Sequence, residues 1–395
     1  MRRVPRVAFF SESFHEVNGV ARTSRAFLSY AQTSGLPLLA VVPGEQQAEI
    51  AENAVERREL PASALSFGVD SDLRFDLAFP RWLPVLRSAL DRFVPDLVHI
   101  TGPGHIGFLG AILAHERGLP LVASWHTNVH QFGARRLEKL FSPLPRPFRA
   151  ATSRCSEKWS LAATLRFYRI AHLLLAPNPE LVELLEKATG RPCRLMQRGV
   201  DTDLFSPERR TRTDQDFVIG YAGRLCPEKN VRFLVRLEDR LRANGISDYR
   251  FLIAGQGSEQ KWLAARLRSA TFAGVLRGSS LAEAYANMDV FVFPSETDTF
   301  GNAVLEALAS GTPAAVMGQG GPKFVVSHGE SGYVAQTEDE LAEAVLEFYY
   351  DRELLNRLRV NARKLAEKRS WKVVFDGLYE HYEALVSART AHSLR

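Results

Sequence analysis

Phe293-Pro294-Ser295-Glu296-Thr297-Asp298-Thr299-Phe300-Gly301-Asn302-Ala303-Val304-Leu305-Glu306-Ala307-Leu308-Ala309-Ser310-Gly311-Thr312-Pro313 reads as a strand end, a polar loop, a helix and a helix stop in one run. The apolar residues up to Phe293 end a strand, Thr299 is placed to cap a helix, and Gly311 terminates it. The amides of Thr299, Phe300 and Gly301 then form an anion site, strengthened by the helix dipole. Asp298 and Glu306 stand eight residues apart, which is roughly 12 Å along a helix axis and close to the span from a sugar to a ribose across a diphosphate. Each carboxylate can accept from two neighbouring hydroxyls. Taken alone, the pattern describes a capped surface helix equally well. The surrounding chain has to decide.

Outward from that stretch, short apolar runs alternate with longer amphipathic ones, which predicts an α/β fold with parallel sheets. Strands are expected at 7–10, 37–42, 97–101, 121–125 and 173–176, and again at 217–221, 249–254, 290–293 and 314–317. Ile112, Leu113 and Glu116 mark one intervening helix, and Leu234, Leu237 and Leu241 another. The rhythm breaks at Arg198-Gly199-Val200-Asp201-Thr202-Asp203-Leu204-Phe205-Ser206-Pro207, followed by the polar 208–216. A linker is expected there, giving domains 1–205 and 206–370, with a C-terminal helix in 371–395 packing back on the first. Open α/β sheets bind ligands outside the carboxyl ends of their strands, so the expected site is a cleft between the two domains.

At 395 residues the chain exceeds the size of one growing core, and 46% hydrophobic with 24% charged residues is an ordinary globular composition. Cys155, Cys193 and Cys226 are odd in number and form no CxxC pair, which disfavours a disulfide framework or a zinc site. The apolar run after Met1-Arg2-Arg3 is too short for a signal peptide core, and no run reaches the roughly 20 residues of a membrane span. A cytoplasmic protein is expected.

Further motifs sit at the predicted strand ends. Gly223-Arg224-Leu225-Cys226-Pro227-Glu228-Lys229-Asn230 places Arg224 and Lys229 five apart after a strand, where a fork and a point charge can both reach a diphosphate. Asn18-Gly19-Val20 follows the first strand and opens a helix, and glycine there lets backbone approach a phosphate. Gly255-Gln256-Gly257 and His126-Thr127 end two other strands.

Together these segments resemble the retaining glycosyltransferases of family 4. The opening stretch resembles their E-x7-E signature, 223–229 their GR-x-x-x-EK loop, 198–205 their NGVD-x-x-x-F hinge, 255–257 their G-x-G loop and 126–127 their HT. The resemblance covers nearly the whole chain and implies the GT-B fold, two facing Rossmann-like domains with an interdomain cleft. It further implies a metal-independent, front-face transfer of a hexose from a nucleoside-diphosphate sugar, with no cofactor. Arg224 and Lys229 would take the diphosphate, Glu306 the ribose, and Asp298 and His126 the hexose. Gly19, Gly255, Gly257, Thr299, Phe300 and Gly301 would line the donor. Asp298 stands where the signature has its first Glu, and Phe324 where many members carry Glu. Members with Asp at the first position look similar to bacterial lipid mannosyltransferases and to sulfoquinovosyl- or glucosyl-diacylglycerol synthases. Mannose from GDP-mannose is the expected donor, a UDP-sugar the alternative, and a lipid or glycan the acceptor. A sugar-nucleotide 2-epimerase of the same fold is a rival that would need no acceptor.

Gly102-Pro103-Gly104-His105-Ile106-Gly107 is a literal GxGxxG, but it does not follow the first strand, and the next strand ends Ser124-Trp125-His126 without a ribose-binding acid. Asp70/Asp72, Asp201/Asp203 and Asp214/Asp216 form DxD triplets away from apolar strand ends and read as loop acids. Between Gln131 and Ile170 there are nine basic residues against two acidic ones, interleaved with Phe141, Leu144, Phe148, Trp159 and Phe167. Arg135, Arg136, Lys139, Arg146 and Arg149 are therefore expected to meet an anionic membrane, peripherally on the inner face of the plasma membrane. No nucleic-acid motif is present.

Overall fold

The computed structural model describes residues 4–16, 18–68, 74–125 and 159–393. The chain divides into two compact units, residues 1–197 with 374–395 and residues 198–373.

The first unit is built on a sheet ordered Cys193–Leu195, Leu173–Ala176, Leu121–Ser124, Leu97–Ile100, Val7–Phe10, Leu38–Gly44, Val55–Pro61 and Ala48–Glu52. All pairings are parallel except the last, where Ala48–Glu52 runs antiparallel to Val55–Pro61. Its central strands are buried throughout, as a parallel sheet covered on both faces requires. The C-terminal helix Trp371–Ser393 belongs here from Val374 onward. Its Phe375 ring lies 5.1 Å from Phe27, and its Tyr382 hydroxyl lies 2.5 Å from Nδ1 of His99. Burial drives His99 down to about 3, so the imidazole is neutral and shares its other nitrogen with Ser124 Oγ.

The second unit carries a parallel sheet ordered Ala270–Gly274, Tyr249–Ala254, Phe217–Ala222, Val290–Phe293, Ala314–Met317 and Gly332–Ala335. The strands expected from apolar runs lie at the centres of the two sheets. The additional ones are edge or near-edge strands, among them Val55-Glu56-Arg57-Arg58-Glu59-Leu60-Pro61, whose own charged residues conceal it.

The compact units divide at 197/198, and 198–216 is fastened to the second unit. Val200 bridges Ser370, and Phe205 is buried with its ring 5.8 Å from Tyr285. Arg363 donates to the carbonyls of Thr202, Phe205 and Ala309, while Arg210 and Arg212 both pair with the buried Asp289. Among the described residues, no helix is long and apolar enough to cross a membrane.

Candidate active site

Strands Phe217–Ala222 and Val290–Phe293 are parallel neighbours, so their carboxyl ends deliver two loops to one edge of the second sheet. The first loop carries Arg224 and Lys229, the second Asp298. Tyr221 is buried, its ring stacked 6.3 Å from Phe293, and its hydroxyl donates to the carbonyl of Arg224 at 2.9 Å. Thr297 Oγ1 donates to the carbonyl of Glu228 at 3.3 Å. Pro227–Lys229 forms a single 3-10 turn ended by Asn230 at φ 50°, and Asn230 is anchored by donating to Glu338. Lys229 Nζ thereby reaches both carboxylate oxygens of Asp298, each at 2.7 Å. Arg224 is 63% exposed, with its guanidinium 3.8 Å from Glu228.

The acidic helix differs from expectation. It spans Asn302–Ala309, and its N-cap is Gly301 at φ 102°, not Thr299. Asp298, Thr299 and Phe300 are loop residues, so spacing along a helix axis does not relate Asp298 to Glu306. The cause lies 20 residues on. Gly320 and Gly321 press against the backbone of 296–300, with the amide of Gly321 donating to the carbonyl of Asp298 at 2.6 Å. Pro322 sits 3.1 Å from where a Cβ on Gly301 would be, and Phe300 is buried in the core. Glu306 is on the helix and 5% exposed. Phe324 closes the turn Pro322–Phe324, with Lys323 Nζ 5.0 Å from its ring.

Gly255, at φ 140°, and Gly257 serve close packing. A side chain at either would overlap the carbonyl of Gly223 or of Leu225. The amide of Gly255 donates to Gly274, and that of Leu225 to Gln256 at 2.9 Å. The G-x-G loop is thus the bed on which the Arg224 loop rests.

In the first unit, Gly19 opens the helix Gly19–Thr33, and the Asn18 side chain caps it by accepting from Ala21 at 2.9 Å. His126, Arg135, Arg136, Lys139, Arg146 and Arg149 lie outside the described residues, as do Asp70 and Asp72. The literal GxGxxG is filled by the protein itself. Glu12, just past the first strand, accepts from the amide of Gly107 at 2.5 Å, and a side chain on Gly104 would overlap its carboxyl. His105 Nδ1 lies 4.0 Å from Glu12 Oε2. Sequence reading missed Glu12, although an acid after the first strand opposite a glycine turn was visible.

Burial pushes the Glu12 carboxyl up to about 7, although the amides of Gly107, Ile106 and Gly104 pull it down. A raised carboxyl pKa means that the folded state binds more protons than the unfolded one, so stability falls as pH rises from about 4.5 through about 7. Gln at this position can still accept from Gly107 and does not ionise. Glu12→Gln is therefore expected to gain on the order of 3 kcal/mol relative to wild type between pH 5 and pH 8.5. Urea unfolding at the two pH values measures this. An equal difference at both would refute it.

Residues 17–204 match the family described as Glycosyltransferase Family 4, and residues 205–365 that described as Glycosyl transferases group 1. A GDP-mannose-dependent alpha-mannosyltransferase of Mycobacterium tuberculosis is 34% identical over 405 residues, spanning 98% of this chain and 99% of its own. The chain belongs to glycosyltransferase family 4. The sulfoquinovosyl transferase SQD2 of Arabidopsis thaliana is 27% identical over 404 residues, 96% of this chain and 74% of its own. In fold, the sucrose-phosphate synthase of Thermosynechococcus elongatus superposes with a TM-score of 0.71 at 18% identity, covering 98% of this chain and all of its own. The two Rossmann-like units are those of the GT-B fold, and this family 4 member is a glycosyltransferase. That class sets aside the epimerase reading.

Proposed function

We propose that this glycosyltransferase is a retaining, metal-independent hexosyltransferase that takes mannose from GDP-mannose and passes it to a lipid or glycan acceptor. The observation that carries the reading is the Lys229–Asp298 pair at adjacent strand ends, a fixed cation beside a fixed hydroxyl acceptor. Similarity to a GDP-mannose-dependent enzyme along essentially the whole chain supports the choice of donor.

Lys229 and Arg224 take the diphosphate. As the glycosidic bond breaks, negative charge grows on the leaving phosphate, and cations fixed in advance stabilise it. The acceptor oxygen bonds to the anomeric carbon on the face from which the phosphate departs, and its proton passes to that phosphate. Asp298 and His126 hold the hexose, and Glu306 the ribose. Gly19, Gly255, Gly257 and the amides of Thr299, Phe300 and Gly301 line the donor. No metal or other cofactor is needed, because the two side chains supply the positive charge.

A thermal-shift panel of GDP-, UDP- and ADP-sugars tests the donor, with GDP-mannose expected to give the largest shift. A larger shift with a UDP-sugar would favour the second reading, a UDP-sugar-dependent glycolipid synthase, which the similarity to a sulfoquinovosyl transferase supports. Arg135, Arg136, Lys139, Arg146 and Arg149 are proposed to hold the enzyme on an anionic membrane surface inside the cell. Co-sedimentation with anionic vesicles should then be lost on neutralising the first three.

A further inference from the structure

Lys229 has three N–H donors, and two of them are committed to the two oxygens of Asp298. The Lys229 side chain is 14% exposed and that of Asp298 24%, so water screens the pair only in part. Both loops are pinned. Asn230 is tied to Glu338, Thr297 to the carbonyl of Glu228, and the Asp298 carbonyl to Gly321. A phosphate on Lys229 therefore arrives beside a carboxylate that cannot retreat far, and it draws on the same donors.

We propose that Asp298 is the displaceable counter-ion of the diphosphate lysine and drives product release. The inference rests on the donor-site reading above. With intact donor, Lys229 turns to the diphosphate and Asp298 is compensated by accepting the hexose hydroxyls. After transfer the hexose is gone, and the carboxylate repels the remaining diphosphate while competing for its lysine. Asp298 thus discriminates against nucleoside diphosphate relative to nucleotide sugar, a role separate from orienting the sugar.

The test is the affinity of GDP, UDP and ADP for wild type and for Asp298→Asn, measured by calorimetry beside donor turnover. The nucleotide that binds wild type is expected to bind Asp298→Asn about tenfold more tightly, while kcat falls. In a Lys229→Ala background the same substitution should tighten nucleotide binding much less, since the competition needs the lysine and only the direct repulsion remains. Unchanged or weaker product binding by Asp298→Asn, with Lys229→Ala still weakening it, overturns this proposal alone. No loss of nucleotide affinity in Lys229→Ala, or no binding of any of the three by wild type, overturns the donor-site reading and this proposal with it.

Discussion

Lys229→Ala is expected to lower kcat by about three orders of magnitude while the protein remains folded. Removing one preorganised donor that faces developing negative charge typically costs about 10²–10³ in rate. Lys229 contributes a full charge held within a fixed loop, so the upper end applies. The side chain sits in a one-turn helix, and its partner Asp298 is exposed enough to be solvated when the ammonium is lost. The effect should therefore reside in turnover and nucleotide binding, with an unchanged circular dichroism spectrum. Lys229→Arg keeps the charge but replaces a point donor with a planar fork, and should recover only part of the rate. Release of nucleoside diphosphate in the presence of donor and acceptor measures all three proteins. Near-normal turnover by Lys229→Ala would sink the assignment.

The parts of the fold that were legible are those whose burial is written locally. Phe217–Ala222 and Val290–Phe293 are continuous apolar runs because both faces of the sheet are covered. Val55–Pro61 escaped because only part of it is buried and four of its seven residues are charged. Its place beside Leu38–Gly44 follows from pairing. The polar stretch after Pro207 looked like a free linker for a similar reason. Arg210 and Arg212 are polar by composition, yet their partner Asp289 lies more than seventy residues away.

At the site, residue types were readable and geometry was not. Arg224, Lys229 and Asp298 stand out in sequence as charges at strand ends. That Lys229 clasps Asp298, 69 positions on, depends on two strands being sheet neighbours. The helix start was misplaced because Thr299 is a good capping residue by type. Its backbone is claimed by Gly321, and Gly301 takes the positive φ that turns the chain into the helix. Glu12 shows the converse case. A sequence pattern typical of phosphate binding exists here to admit a carboxylate from the protein's own first loop.

Gly321→Ala is expected to reduce donor turnover about a hundredfold without contacting any substrate. A methyl group at this position would overlap the carbonyl carbon and oxygen of Thr299 and the amide nitrogen of Phe300, all of them backbone atoms. No rotamer change relieves a backbone clash, so the loop 296–300 must move. Phe300 is buried and cannot follow easily, which leaves Asp298 and its hold on Lys229 as the part that shifts. Displacing a positioning group by about 1 Å can cost 10²-fold in rate. Gly377→Ala is the matched control, because that glycine lies in the C-terminal helix with nothing within 4 Å of its would-be Cβ. Alanine also favours a helix over glycine. Steady-state rates on both variants, with spectra to confirm folding, separate the outcomes. Turnover by Gly321→Ala within twofold of Gly377→Ala would mean that the glycine loop does not set the position of Asp298. A selective loss at Gly321 would make the 318–324 loop part of the donor site, although its glycines offer the substrate no side chain.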